Sequence, residues 1–197
     1  MKIYGDEHSG NSYKVKLTCH LMDIPYKWVP IDILKGETKT KEFLALNANG
    51  KIPLIELDNG NILSESNAII NYLAHDSHLL PKDRFLYYKA QQWQFFEQYS
   101  HEPYIAVARF IRKYQGIPES RKEEYLSKQS GGYKALSVME DQLTKEIFFV
   151  GDSFSVADIS LYAYTHVAHE GGFDLEKFPA IKAWFKRVEA IPRFVSM

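Results

Sequence analysis

The sequence predicts a small α/β domain followed by an all-helical domain, and three features support this division. Strand-like and helix-like segments alternate over residues 1–76. The segment 77–84, which contains Pro81, breaks the alternation and is the predicted linker. From residue 85 to residue 197 the apolar side chains recur at the three- and four-residue spacing of helices. We therefore expect two domains, at 1–76 and 85–197.

The first domain is predicted to have the element order β-α-β-α-β-β-α. The predicted bounds of the first four elements are 2–4, 12–23, 26–33 and 40–47. A hairpin follows, with Asp58-Asn59-Gly60 as its turn, and then a helix with Ser64-Glu65-Ser66 as its capping residues. The first strand, the helix after it and the second strand imply a parallel crossover connection. The hairpin adds antiparallel strands at the edge of the sheet.

Four features organise the predicted helical domain. A long helix over 83–114 should be kinked at Pro103. A second helix over 119–145 contains Gly131-Gly132, where we expect a bend. Ser155 and Asp158 have the spacing of a capping box, and Pro179 is placed to begin the last helix.

Composition limits the class of protein and its partners. The chain has 197 residues, 45% of them hydrophobic and 25% charged, as in ordinary globular proteins with a sizeable core. A formal net charge of -1 gives no reason to expect nucleic acid or an anionic membrane as a partner. No apolar run approaches the length of a membrane span. Cys19 is the only cysteine, so no disulfide can form within the chain, and a cytoplasmic location is expected.

Two positions around the hairpin suggest ligand binding. Pro53 opens a strand, where a cis-proline would leave the backbone N–H and C=O of Ile52 free to pair with an outside peptide. Glu65 and Ser66 lie where a helix begins, so that side chains, unpaired amides and helix dipole can hold an amino group and a carboxylate. The structural alternative is an ordinary hairpin followed by a capped helix. A peptide-like anionic ligand fits both positions.

These residues resemble the glutathione-binding core of the cytosolic glutathione transferases. The resemblance lies in Lys51-Ile52-Pro53, in Glu65-Ser66-Asn67-Ala68-Ile69, in the capping box and in the two-domain order. It implies a thioredoxin-like first domain, glutathione as co-substrate and a homodimer. In this family the residue before the cis-proline pairs with the cysteine of glutathione, and the Glu-Ser pair holds its γ-glutamyl end.

The resemblance also implies a thiol-activating group in the loop 6–14. This loop has no cysteine, which excludes a Cys-x-x-Cys reductase and disfavours the omega and beta classes. It resembles the serine-type classes, theta above all, and Ser9 aligns with the catalytic serine. We interpret Ser12 as the helix cap and keep Asn11 as the reserve donor. A hydroxyl that donates to sulfur favours thiolate over thiol.

Other candidates concern the remaining parts of the ligands. Thr38 stands where the theta class has a histidine, so Lys51 is preferred for the glycine carboxylate of glutathione, with Lys35 and Lys39 as substitutes. Candidates for the second, hydrophobic substrate are Ser12, Tyr104 and Arg109. No metal is expected, because the helical histidines lack the spacing of known metal motifs.

The resemblance implies a bacterial glutathione transferase, in which glutathione thiolate attacks an apolar electrophile in detoxification. Two alternatives stay open at this point. One is a non-enzymatic regulatory or assembly protein on the same fold. The other is a glutathione-dependent isomerase, dehalogenase or peroxidase, which would share the glutathione contacts.

Overall fold

The computed structural model describes residues 1–197 and divides them into two units. The first, called here the sheet unit, comprises Met1–Ser77 and Pro192–Met197. The second, the helical unit, is His78–Ile191. The last six residues thus belong to the sheet unit, whereas the sequence analysis had placed them in the helical domain.

The sheet unit contains four strands in the spatial order β2-β1-β3-β4. The strands are β1 (Lys2–Gly5), β2 (Lys27–Pro30), β3 (Leu54–Glu56) and β4 (Ile62–Ser64). β1 is parallel to β2 and antiparallel to β3, which pairs with β4 as a hairpin. Both the parallel crossover and the antiparallel edge are therefore confirmed.

Three helices accompany this sheet: α1 (Gly10–Leu21), α2 (Lys41–Leu46) and α3 (Ser66–Leu73). α1 and α3 pack together, and Leu17, Ile69 and Ile70 are fully buried. Cys19 of α1 is also buried, and burial raises the pKa of its thiol to about 12. Removal of these apolar side chains from water stabilises the unit.

The helical unit is built from α4 (Arg84–Phe96), α5 (Glu102–Arg109), α6 (Lys122–Leu143), α7 (Val156–Thr165) and α8 (Pro179–Glu189). Two π-helical segments, Glu97–His101 and Phe110–Tyr114, flank α5. Pro103 lies in the first turn of α5, where its missing N–H is tolerated, and the irregular backbone precedes it. None of the helices has the combined length and apolar character that a membrane span requires.

Gly131 and Gly132, where a bend was expected, both lie within α6. α6 runs without interruption through both residues. A Cβ atom at position 131 would overlap the Tyr104 ring, and one at position 132 would overlap the Phe173 ring. The glycines therefore allow two aromatic rings to pack directly on the helix backbone.

The capping box at the start of α7 is confirmed. The Ser155 side chain accepts from the backbone of α7, and the Asp158 carboxylate accepts from the Ser155 N–H at 3.0 Å. The same carboxylate also accepts from the Phe149 N–H at 3.2 Å and from Trp184 Nε1 at 2.9 Å. Asp158 is fully buried, and this burial raises its pKa to about 6 against the opposing effect of its donors.

Candidate functional site

The Ile52–Pro53 peptide bond is cis, as the resemblance implied. Pro53 is buried immediately before β3, while Ile52 lies outside that strand. The N–H and C=O of Ile52 are consequently not used by the sheet ladder. This is the backbone arrangement that an extended peptide ligand needs for strand-like pairing.

The start of α3 has an unusual backbone. Glu65 is exposed and adopts φ 70° and ψ 110°, a region that non-glycine residues rarely occupy. Its side chain makes no capping hydrogen bond to α3. Such a conformation costs on the order of 1–3 kcal/mol and is typical of ligand sites. Ser66, the first residue of α3, is 5% exposed.

A side-chain hydrogen bond joins the start of α1 to the start of α3. Ser66 Oγ donates to Asn11 Oδ1 at 3.1 Å, and Lys14 Nζ donates to Ser66 Oγ at 3.4 Å. Sequence reasoning missed both contacts. The available signal was the spacing of Asn11 and Lys14, which places them on the same face of α1.

The helix cap lies at Ser9 and not at Ser12, where it was expected. Ser9, not Ser12, is the N-cap of α1, and its Oγ accepts from the Ser12 N–H at 3.3 Å. That bond leaves the Ser9 hydroxyl hydrogen available to a ligand. Ser12 is fully buried, and its Oγ accepts from the Asp6 N–H at 3.3 Å. We therefore withdraw Ser12 as a candidate for the second substrate.

Among the basic candidates, Lys51 is the exposed residue whose ammonium group makes neither an ion pair nor a hydrogen bond within the chain. Lys35 pairs with Asp32 at 3.1 Å, and Lys39 Nζ donates to the Gly50 C=O at 3.2 Å. The backbone at Lys51 is held by Asn47, whose Nδ2 donates to the Lys51 C=O at 2.8 Å. Lys51 directly precedes the cis bond, so it remains the preferred contact for a carboxylate.

Tyr104 and Arg109 have packing roles inside the helical unit. Tyr104 packs on Gly131 of α6. Arg109 is 3% exposed, and its Nε donates to Glu170 Oε2 at 2.5 Å. Because these groups are already engaged, neither is carried forward as a contact for the second substrate.

The chain contains no group of three or more His, Cys, Asp and Glu side chains arranged to hold a metal ion. His101 is fully buried, and its Nε2 lies 2.9 Å from Thr165 Oγ1. His166 stacks on the Tyr162 ring, with centroids 4.5 Å apart, and burial lowers its pKa to about 4. Both histidines thus have structural environments within the helical unit.

The fold and the site define a protein with a thioredoxin-like sheet unit and an all-helical unit, in which a loop serine, a cis-proline and a helix start form the candidate site. Residues 8–76 match the model of the glutathione S-transferase N-terminal domain. Residues 92–192 match that of the glutathione S-transferase C-terminal domain. The chain therefore belongs to the glutathione S-transferase family of enzymes.

Three similar proteins illustrate this relationship. The crystal structure of a glutathione S-transferase from Pseudomonas fluorescens is 58% identical, with a TM-score of 0.97 over 99% of this chain and 97% of that one. Glutathione S-transferase hmp2 from Hypomyces subiculosus is 30% identical, covering 96% of this chain and 93% of its own. A maleylacetoacetate isomerase from Methylobacterium extorquens, with bound malonate and glutathione, is 26% identical, with a TM-score of 0.83 over 98% and 94% of the two chains.

Proposed function

We propose that this protein is a bacterial, serine-type, theta-like glutathione transferase that conjugates glutathione to an apolar electrophile. The observation that carries the proposal is the hydrogen bond from Ser66 to Asn11. It joins the start of α3, where the γ-glutamyl end would bind, to the loop that carries Ser9. The 58% identity to the Pseudomonas enzyme favours the bacterial type.

In this proposal glutathione lies extended beside the cis-proline. Its cysteine pairs with the N–H and C=O of Ile52, which the sheet does not use. Its γ-glutamyl amino group meets the exposed Glu65 carboxylate, and its α-carboxylate meets Ser66 and the first amides of α3. Its glycine carboxylate meets the exposed ammonium of Lys51.

Ser9 is the proposed activator of the thiol. Its hydroxyl accepts the Ser12 N–H and donates its own hydrogen to the glutathione sulfur. This donor, together with the positive end of α1, favours thiolate and lowers the thiol pKa by about one to three units. The thiolate then attacks an electrophilic carbon, a carbon–sulfur bond forms, and the leaving group departs with its electron pair.

A glutathione-dependent isomerase is the second candidate. The Methylobacterium isomerase supports it, as does a maleylacetoacetate isomerase from Dictyostelium discoideum that is 28% identical over 98% of this chain. In such a reaction glutathione adds to the substrate and is released again. The glutathione contacts are the same in both candidates, but the fate of the thiol differs.

Counting thiols during turnover separates the two candidates. We expect a chlorodinitro-aromatic substrate to consume one glutathione per chloride released, and calorimetry to detect glutathione binding at millimolar concentration or below. An enzyme that binds glutathione, turns over maleylacetoacetate and leaves the thiol count unchanged would favour the isomerase. Absence of glutathione binding would contradict both candidates.

We also propose a homodimer, with an aromatic stripe on the helical unit as its interface. Phe85, Tyr88, Phe95 and Tyr99 are 69%, 55%, 63% and 79% exposed. The first three follow the heptad-like spacing of a helix–helix contact along α4. An exposed aromatic face of this kind is typical of a protein interface. A role in detoxification and a cytoplasmic location remain proposals.

A further inference from the structure

Lys14 is a fully buried lysine on α1, with 0% of its surface exposed. Lysine is almost never fully buried unless its ammonium group has polar partners, because removal of the charge from water is costly. It lies on the α1 face that packs against α3. A buried charge at a helix contact costs desolvation free energy, which hydrogen bonds to its partners must offset.

The Lys14 ammonium is the first donor in a short chain of hydrogen bonds. Lys14 Nζ donates to Ser66 Oγ at 3.4 Å, and Ser66 Oγ donates to Asn11 Oδ1 at 3.1 Å. Because Lys14 already fills one lone pair of Ser66, the Ser66 hydroxyl is set to act as a donor. A hydroxyl that accepts from a cation is also a stronger donor, because successive hydrogen bonds polarise one another.

We infer that Lys14 is a positioning and specificity residue, which acts through Ser66 to select ligands with a carboxylate at the γ-glutamyl end. This inference rests on the proposed glutathione site. When the ligand binds, the Ser66 hydrogen turns from Asn11 to the carboxylate, and Lys14 continues to donate to the same oxygen. The buried positive charge behind Ser66 adds to the positive end of α3, so that an anionic group is favoured over a neutral one.

A pair of ligands tests this role. One is glutathione, and the other is the same tripeptide with a hydrogen in place of the α-carboxylate of its γ-glutamyl group. We expect Lys14→Met to weaken glutathione binding at least about tenfold in calorimetry and to leave the affinity for the decarboxylated tripeptide within about twofold. With a chlorodinitro-aromatic substrate, the KM for glutathione should rise while kcat changes little.

Lys16→Met is the matched control. It removes the same charge two residues further along α1, from a half-buried side chain, and should change neither affinity. Lys14→Gln, which keeps a donor without the charge, should show the same selective loss as Lys14→Met. If Lys14→Met does not fold, Lys14→Gln provides the same test of ligand selectivity.

Other outcomes would overturn the inference, and they differ in whether the proposed function survives. Equal losses for both tripeptides, or no loss for either, would mean that Lys14 is only structural, while the wild-type protein still binds glutathione. A wild-type protein that binds neither tripeptide would overturn the proposed function, and this inference with it.

Discussion

Ser9 combines two duties in one hydroxyl group. Its oxygen accepts the Ser12 N–H and so caps α1, and its hydrogen is left for the sulfur of the proposed ligand. The sequence shows two serines three residues apart, and either could cap a helix that begins nearby. Local preference alone therefore could not show which serine is the cap. In the structure Ser12 is buried and its Oγ accepts from the Asp6 N–H, so the cap is Ser9.

The two duties of Ser9 can be separated by substitution. Ser9→Ala should remove both duties. It should lower kcat/KM by about 10- to 100-fold through a smaller thiolate fraction, and lower the free energy of unfolding by about 1 kcal/mol. Ser9→Asp keeps a capping acceptor but no proton to donate at neutral pH, so it should lose activity and keep its stability. Steady-state kinetics and thermal unfolding of both variants measure this. If Ser9→Asp retained wild-type kcat/KM, the thiol would be activated elsewhere, with Asn11 the next candidate.

At the scale of elements, the predictable features are those encoded within a few residues. The capping box of α7 was predicted because Ser155 and Asp158 satisfy each other's backbone three residues apart. The Gly131-Gly132 pair indicates either a bend or a close contact, and only the rings of Tyr104 and Phe173 decide which. The burial of Lys14 depends on Ser66, 52 residues away, so no local pattern could reveal it.

Asp158 in the first turn of α7 and His166 at its C-terminal end give opposite pH dependences. Burial raises the pKa of Asp158 to about 6, above its pKa in the unfolded chain. The stability that this group contributes is therefore fully present at a pH below the unfolded pKa, and it is lost as the pH rises through 6. The pKa of His166 is lowered by burial to about 4, against about 6.5 when unfolded. Its contribution is present above pH 6.5 and is lost as the pH falls to 4. Between pH 4 and 6 the two trends therefore oppose each other.

Replacing His166 should expose the trend of Asp158. His166→Phe keeps an aromatic ring to stack on Tyr162 but cannot become charged. We expect the difference in unfolding free energy between wild type and variant to change by about 3 kcal/mol from pH 6.5 to pH 4, in favour of the variant at the acidic end. Urea titrations across this range measure the difference. A difference that does not vary with pH would contradict the assignment.

At the scale of the whole molecule, the two-domain order followed from the periodicity, because the switch from alternating elements to helices occupies long segments. The proposed dimer interface could not be predicted from the periodicity, since exposed and buried aromatic residues alternate along the same helix. Trp93 is 6% exposed and Phe95 is 63% exposed, and only the packed structure separates these two positions. The stripe on α4 therefore became visible only with the fold.

A charge placed in the stripe tests the proposed dimer. Phe95→Glu should raise the dimer dissociation constant at least about 100-fold, because two carboxylates would have to be buried without partners. Leu126→Glu is the control, since Leu126 is 59% exposed but lies on a different helix, α6. Sedimentation velocity at micromolar concentration distinguishes monomer from dimer. Wild-type protein sedimenting as a monomer, or equal dissociation by both variants, would rule out this interface.

The burial of the single cysteine has a consequence for an enzyme that handles reactive compounds. At neutral pH a thiol with a pKa of about 12 is almost entirely uncharged, and Cys19 is 1% exposed. The protein therefore offers no reactive thiolate of its own to an alkylating agent or an oxidised thiol. In the proposed conjugation, the thiol of glutathione would therefore not compete with a cysteine of the protein for the electrophile.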